Sequence, residues 1–346
     1  MEARSQLRHR PILRVNSRIA YAGGAAEFRD VARLAYNEEM PFRRNAALTL
    51  LLCLLAPGLT SCLSRNRLIA RIGGKPTQTL LVADRATLVE IISRQYQAID
   101  DFNAEVDMVP ALGSAEKSKI TEYKDVRAYI LFRKPAYIRI IGLYPIVRNK
   151  AFDMVSNGSD FKLSIPAQNR FIIGKNELEK PSKNKIENLR PQHFLDALMV
   201  RPVDAQHEKL LVENFTDEGN AYYILHIIRE NGDGQLVLTR TVWFNRYDLL
   251  MSRQMIFDET GNILTDARYS GWKAYDRVPF PKHIEINRPR DEYGVVIDIV
   301  KMDINKGVSD DKFVLEQPEG SKLQVMGEAP PPAPPTPPSK GRIKKK

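Results

Sequence analysis

Between residues 102 and 304 the apolar side chains recur at every second position, and that period is what most restricts the chain. Phe102, Ala104, Val106 and Met108 alternate with Asn103, Glu105 and Asp107. Val126, Ala128, Ile130 and Phe132 alternate with Arg127, Tyr129, Leu131 and Arg133, and Pro135 ends the run. Successive side chains of a strand point to opposite faces, so this pattern builds a sheet with one apolar face. Further strands are expected at 136–143, 152–155, 161–165 and 170–173, with Asn157-Gly158 as a tight turn. The second half continues at 222–228, 235–244, 249–257, 262–269, 282–287 and 295–304. Connections are short and helical stretches few. The expectation is a mainly β (α+β) chain, one curled antiparallel sheet with two helices covering its concave face.

Both helices carry local signals. Asp84 is a suitable N-cap for a helix from Arg85, on which Leu88, Ile92, Gln95 and Ile99 form one stripe that Asp100-Asp101 closes. Pro191 suits the first position of a second helix running through Phe194, Leu195 and Leu198.

A different constraint acts upstream. Residues 46–59 read AALTLLLCLLAPGL, preceded by Arg43-Arg44 and followed by Thr60-Ser61-Cys62. A basic start, an apolar run of this length and small residues after it make a secretory signal, too short for a spanning helix of about 20 residues. Leu59-Thr60-Ser61-Cys62 resembles the bacterial lipobox, whose Cys is acylated and becomes the mature N-terminus; Cys62 is then the lipidation site and residues 40–61 the signal peptide. Loss of Cys53 with the signal and acylation of Cys62 leave no thiol for a disulfide. Leu63, where an Asp often marks inner-membrane retention in such lipoproteins, points to the outer membrane. Residues 1–39 precede a well-formed start at Met40-Pro-Phe-Arg-Arg. They are an extension upstream of the true start or, given Arg4, Arg8, Arg10, Arg14 and Arg18, an organellar transit peptide. Residues 62–83 are polar, basic and broken by Gly73-Gly74 and Pro76, as a tether would be.

Charge follows the same division. The net charge of +10 would suit a nucleic-acid binder. However, residues 1–61 carry +4, residues 329–346 carry +5, and the stretch between is nearly neutral at +1. Nucleic-acid binding needs a basic folded face, so that partner is excluded. The tail, 327–346, has seven prolines in the nine residues 330–338 and ends in a basic cluster, Lys340 to Lys346. It is expected to stay extended, as a contact for an anionic envelope polymer or headgroup, or as a solubilising tail.

Chemistry is sparse. His9, His193, His207, His226 and His283 show no metal-ligand spacing, and no nucleophile elbow, phosphate loop or dinucleotide fingerprint occurs. No metal, cofactor or catalytic residue is expected, and the chain is read as a non-enzyme. Asp298, set among Val296, Ile297, Ile299 and Val300, is expected to point off the sheet, and His226 to be a satisfied core or rim imidazole. The apolar strand face is either a plain core under the helices or a surface for an acyl chain; periodicity alone does not separate the two.

The order of segments resembles the outer-membrane lipoprotein carrier and receptor superfamily (LolA- and LolB-like proteins). The resemblance lies in the helix running into Ile99-Asp-Asp-Phe102, and in Tyr129-Ile-Leu-Phe132-Arg133-Lys134-Pro135 followed by Ile138-Arg139-Ile140. It continues in Phe152 to Phe161 with Asn157-Gly158, in Ile165-Pro-Ala-Gln-Asn-Arg-Phe171, in the helix 191–199, and in Phe313-Val-Leu-Glu-Gln-Pro318-Glu-Gly320 as closing strand and turn. It covers about 84–325. It implies a half-barrel domain over 84–326, of about eleven antiparallel strands, whose cavity takes acyl chains. The candidate lining is Phe102, Val106, Met108, Ile130, Phe132, Ile138, Ile140, Phe152, Met154 and Phe161. The candidate lid or gate is Arg133, Lys134, Phe194, Leu195 and Leu198. Lys134 stands where the carriers have an Arg, and a Lys lacks the planar bidentate fork. The function implied is an outer-membrane-anchored periplasmic lipoprotein that binds acyl chains and takes part in lipoprotein or lipid sorting. The alternative is a structural envelope lipoprotein with a packed β-domain and a cell-wall-contacting tail.

Overall fold

The computed structural model describes residues 78–114, 119–122, 124–176 and 189–326. The expectations for Cys62, for residues 1–39 and 40–61, for most of the tether and for the tail with Lys340 to Lys346 lie outside the described residues.

The chain opens with α1 (Arg85–Gln97), where Asp84 Oδ1 accepts the Thr87 backbone N–H at 2.8 Å, as its sequence predicts. Leu88 and Ile92 are buried, and the helix ends at Gln97, short of Asp100. Asp101 instead begins β1 (Asp101–Ser114). The first half then runs through β2 (Lys119–Glu122), β3 (Val126–Arg133), β4 (Tyr137–Leu143), β5 (Lys150–Ser156), β6 (Asp160–Ile165) and β7 (Arg170–Lys175). After α2 (Pro191–Leu198) come β8 (Glu208–Thr216), β9 (Ala221–Glu230), β10 (Leu236–Asn245), β11 (Met251–Phe257) and β12 (Ile263–Ser270). A small hairpin, β13 (Lys273–Tyr275) and β14 (Val278–Phe280), precedes β15 (His283–Arg288), β16 (Tyr293–Ile304) and β17 (Lys322–Val325).

Fifteen strands form one curled, unclosed sheet, with β13–β14 a separate pair. The order β17-β7-β6-β5-β4-β3-β1-β16-β15-β12-β11-β10-β9-β8 shows two meanders joined through β1 and β16. That junction pairs Phe102–Leu112 with Tyr293–Ile304, with a bulge beside Glu105/Val106. The bulge leaves Val300 and Lys301 both exposed, so that Ile299 and Met302, three apart, both face inward. Pro110, which has no N–H, falls where β1 changes its second partner from β3 to β2.

The sheet has more strands than the eleven implied, and one pair is parallel. β8 escapes sequence reading because it is an edge strand: adjacent Leu210 and Leu211 face opposite sides and Leu211 is exposed, so no apolar period shows. The expected closing strand at 313–320 is not one. Residues 310–313 make a 3-10 turn, and the segment crosses the outer side of the sheet as a strap. Arg139 donates to the carbonyls of Lys312 and Val314, Lys162 donates to that of Leu315, and Leu315 packs on Val155 and Phe171. Having crossed over, the chain joins β7 as β17 in parallel. Gly142 lies under the ring of its partner Phe152, where a Cβ would meet that ring at 2.2 Å.

The junction sets the first prediction. Phe102 is buried on β1 against Phe132 and Phe280, with centroids 5.2 and 6.0 Å away. Phe102→Ala is expected to cost about 3–5 kcal/mol of unfolding free energy in urea titrations.

Candidate functional site

The inward side chains of the sheet, together with Leu88 and Ile92 of α1 and Phe194, Leu195 and Leu198 of α2, form one buried cluster. Nine of the ten candidate lining residues lie in it: Phe102, Val106, Met108, Ile130, Phe132, Ile138, Ile140, Met154 and Phe161. Phe152 is half-buried against its edge. The structure therefore brings the candidate lining together, but as packed side chains. A pocket of about 20 Å³, room for roughly one water, opens beside α1 between Leu198, Met199, Met251, Tyr269, Trp272 and Phe280. A small-molecule site ordinarily needs about 300–1,000 Å³. A larger hollow of about 250 Å³ sits on the outward face, bordered by Val109, Ala111, Glu122, Asp266, Arg268 and Glu285.

One short helix covers the middle of the concave face. α2 has eight residues, of which Pro191, Phe194, Leu195, Ala197 and Leu198 are buried, and it packs on β4 and β5 of one meander and β12 and β15 of the other. Its polar anchors come from the second meander. Gln254 Nε2 donates to the Asp196 carbonyl at 2.8 Å and Tyr269 OH to the Ala197 carbonyl at 2.7 Å. His193 Nδ1 lies 2.7 Å from Tyr293 OH, and its Nε2 lies 3.0 Å from Arg288 Nη2. Arg288 is itself held by Asp291 and by Thr265 Oγ1. Arg190, at the N-cap, is buried with its guanidinium 4.4 Å from the centre of the Phe161 ring.

These groups titrate abnormally. Burial, then the positive charges of Arg288 and Arg190, hold the His193 imidazole well below its usual value. Burial raises the Asp196 carboxyl, against the pull of Arg201 and the Gln192 hydrogen bond. Burial likewise raises the Tyr293 and Tyr269 hydroxyls.

The other candidate gate residues work elsewhere. Arg133 donates to the Val308 carbonyl at 2.9 Å, pairs with Asp310, and stacks between Tyr137 and Phe313, each ring centre 5.1 Å away. Lys134 pairs with Asp100 at 3.2 Å and lies 4.7 Å from the Tyr96 ring of α1. Arg133 thus fastens the strap and Lys134 fastens α1. His226 and Asp298 both face outward, bonded to Glu213 and His283 respectively. The Asp298 bond, followed by a contact from Glu285, raises His283 above its usual value against a desolvation penalty.

Sequence reading missed the β4–β5 connection, Tyr144-Pro-Ile-Val-Arg-Asn149. Ile146 is 91% exposed and Val147 64% exposed, with Tyr144 beside them. The loop is nonetheless ordered by Tyr144 N–H to Asn149 O at 2.9 Å and Arg148 N–H to Tyr144 O at 3.1 Å, with Arg148 at φ 52. Its signal was legible: a Tyr-Pro-Ile-Val run where a strand connection is normally polar. Arg148 and Lys150 flank it.

No protein-family model matches the sequence, and no curated protein matches it. Among solved structures the chain is similar to a DUF1329 family protein from Desulfovibrio piger, at 18% identity, covering 66% of this chain and 96% of that one, with TM-score 0.46. It is similar to a LolA superfamily protein from Nitrosomonas europaea, at 14% identity, 66% and 97% coverage and TM-score 0.42. It is also similar to a domain from Vibrio parahaemolyticus described as an outer membrane lipoprotein-sorting protein, at 11% identity, 65% and 94% coverage and TM-score 0.43. With scores under 0.5, these likenesses stand beside the fold and add no residue or ligand to it.

The placement of Arg133 gives a prediction. Arg133→Ala is expected to speed amide exchange in the strap, residues 308–314, by about tenfold or more, and to leave α2 unchanged. Exchange read by mass spectrometry checks it, the loss corresponding to one charge-assisted bond of about 1.5–3 kcal/mol.

Proposed function

We propose that the chain is a lipid-anchored periplasmic protein of the outer membrane. It binds acyl chains non-covalently on the concave face when α2 lifts, and takes part in sorting or transferring lipoproteins or lipids. One observation carries this reading: a continuous apolar concave face, spanning both meanders, is closed in its middle by one eight-residue helix. Lifting α2 would open that surface without breaking a strand pair. The Leu-Thr-Ser-Cys62 sequence supports the anchor, and the ordered Tyr144–Val147 tip supports a second contact with the bilayer, its apolar side chains in the acyl boundary and Arg148 and Lys150 among anionic headgroups. The activity is burial, with no chemistry done on the cargo. A 16-carbon chain gains on the order of 10 kcal/mol on leaving water, the same order as the burial given up when a helix that buries five residues lifts.

A second reading, a structural envelope lipoprotein, has the packed interior in its favour. Delipidated protein titrated with a fluorescent C16 fatty acid separates the two. Saturable binding, with Phe194→Glu on the lid shifting the affinity, is expected for acyl binding; no binding and no co-purifying lipid in native mass spectrometry would leave the structural reading.

The tip has its own test. In flotation with vesicles containing anionic phospholipid, unacylated protein carrying Ile146→Asp is expected to bind at least about tenfold more weakly than the parent. That corresponds to about 1.5–3 kcal/mol for one large apolar side chain. Equal flotation of the two would remove the tip from the membrane contact.

A further inference from the structure

We propose that His193, with Arg288 and Tyr293, is a latch that holds α2 on the concave face and is released by acid. This rests on reading α2 as the lid, and concerns the regulation of that lid.

Hydrogen-bond chemistry fixes the state of the ring. A guanidinium has donors and no acceptor, so His193 Nε2, 3.0 Å from Arg288 Nη2, must offer its lone pair. The ring proton is therefore on Nδ1 and donates to Tyr293 OH at 2.7 Å. The ring also stacks on that of Tyr293, with centroids 6.2 Å apart and planes 21° apart. Of α2's polar anchors in the second meander, this one is built on an imidazole, whose ordinary value lies near neutrality; those from Gln254 and Tyr269 run to backbone carbonyls.

A proton on Nε2 would turn that bond into two N–H groups facing each other and set a second cation beside Arg288. The groups around the ring are known on each packed element among the described residues. β15 supplies Arg288, β16 supplies Tyr293, and the turn between them supplies Asp291, whose Oδ2 is 4.0 Å from Nδ1. Asp291 already accepts from Arg288 Nε at 2.8 Å and is ion-paired with its Nη2 at 2.7 Å. β12 supplies Thr265, which is uncharged and bound to Arg288. β4 and β5 present Ile138, Ile140 and Met154 to the same core. From α2 itself, Arg190 adds positive charge, and Asp196 is the titratable neighbour one turn on.

The sign follows. The closed form resists protonating His193, whereas a lifted α2 returns the ring, only 15% exposed when closed, to water and to an ordinary value of about 6.5. The closed form is therefore fully favoured above that value, and each pH unit below it shifts the balance toward the lifted form by up to about tenfold. Asp196 acts oppositely: its carboxyl protonates more readily when buried, so it favours closure as pH falls. Opening belongs to the mildly acidic range.

Hydrogen–deuterium exchange mass spectrometry of the full chain at pH 7.5, 6.5 and 5.5, corrected for intrinsic exchange rates, tests this. The peptide spanning Pro191–Leu198 is expected to open about fivefold more at pH 5.5 than at 6.5, and about tenfold more than at 7.5, while β1 and β16 peptides keep their protection. His193→Gln keeps an acceptor for Arg288 and a donor for Tyr293 and does not titrate, so its α2 opening is expected not to rise as the pH is lowered. A flat wild type, or an equal rise in His193→Gln with β1 and β16 still protected, would overturn the latch. So would a His193 value at or above 6.5 read from its ring protons by NMR in the wild type, a measurement independent of the variant's folding. Fatty-acid titration at the same pH values keeps the two readings apart: opening of α2 in acid without uptake overturns acyl binding and leaves the latch standing.

Discussion

Everything in this domain depends on the pairing of β1 with β16, two strands about 190 residues apart in sequence. Each half of the chain is a meander of short connections, and each has an inward apolar face with nothing of its own to cover it. Joining them edge to edge makes one sheet wide enough to curl, and the curl converts two exposed faces into the walls of one core. The bulge at Glu105/Val106 is part of that join. It adds a residue on β16 so that Ile299, Met302 and Ile304 all keep facing inward along a long, twisting strand.

The outward face is stabilised differently. Asp153 is buried there between Arg139 and Lys150; burial alone would raise its carboxyl, and the hydrogen bonds from the two cations outweigh it, so the value is lowered. A carboxyl lowered in this way adds stability above its ordinary value near 4 that is lost as pH falls through the lowered one. Arg139 meanwhile uses its remaining donor on the strap. The same guanidinium thus joins β4, β5 and the C-terminal crossing, and the parallel β17 is reached because the strap is held in place along the way. Two acidities therefore operate on opposite faces. The Asp153 carboxylate outside resists protonation because two cations hold it ionised against its burial, and the His193 imidazole inside resists it because burial, helped by the charges of Arg288 and Arg190, disfavours its cation.

The period-two pattern made most strands legible, since every strand with two neighbours and one buried face must alternate. β8 and β17 were not legible, because an edge strand has one neighbour and its side chains are half in water. The strap was misread as a strand because Phe313, Val314 and Leu315 are apolar; two of them are spent on the small outer cluster with Val155, Ile173 and Phe171. Helix α2 was legible from Pro191, Phe194, Leu195 and Leu198. Its polar anchors were not, because Arg288, Tyr293, Gln254 and Tyr269 lie 55 or more residues away and no local pattern connects them to His193, Asp196 or Ala197. Arg133 and Lys134 were assigned to the lid by resemblance, and the fold employs them on the strap and on α1.

A closed interior and an acyl-binding role are compatible on energetic grounds. α2 buries four apolar side chains and a proline and is held by a handful of hydrogen bonds, each worth a net of about 0.5–1.5 kcal/mol. With its short length, it has little intrinsic helical stability and depends on docking. An empty apolar groove of acyl dimensions would be hydrated or collapsed in the absence of cargo, whereas a helix that fills it keeps the unloaded protein soluble. In the proposed role, cargo would compete with α2 for the same apolar surface, and the outcome would turn on the difference between two burials of similar kind. A polar latch suits such a balance, because it adds a few kcal/mol that a change in protonation can remove while the sheet beneath stays intact.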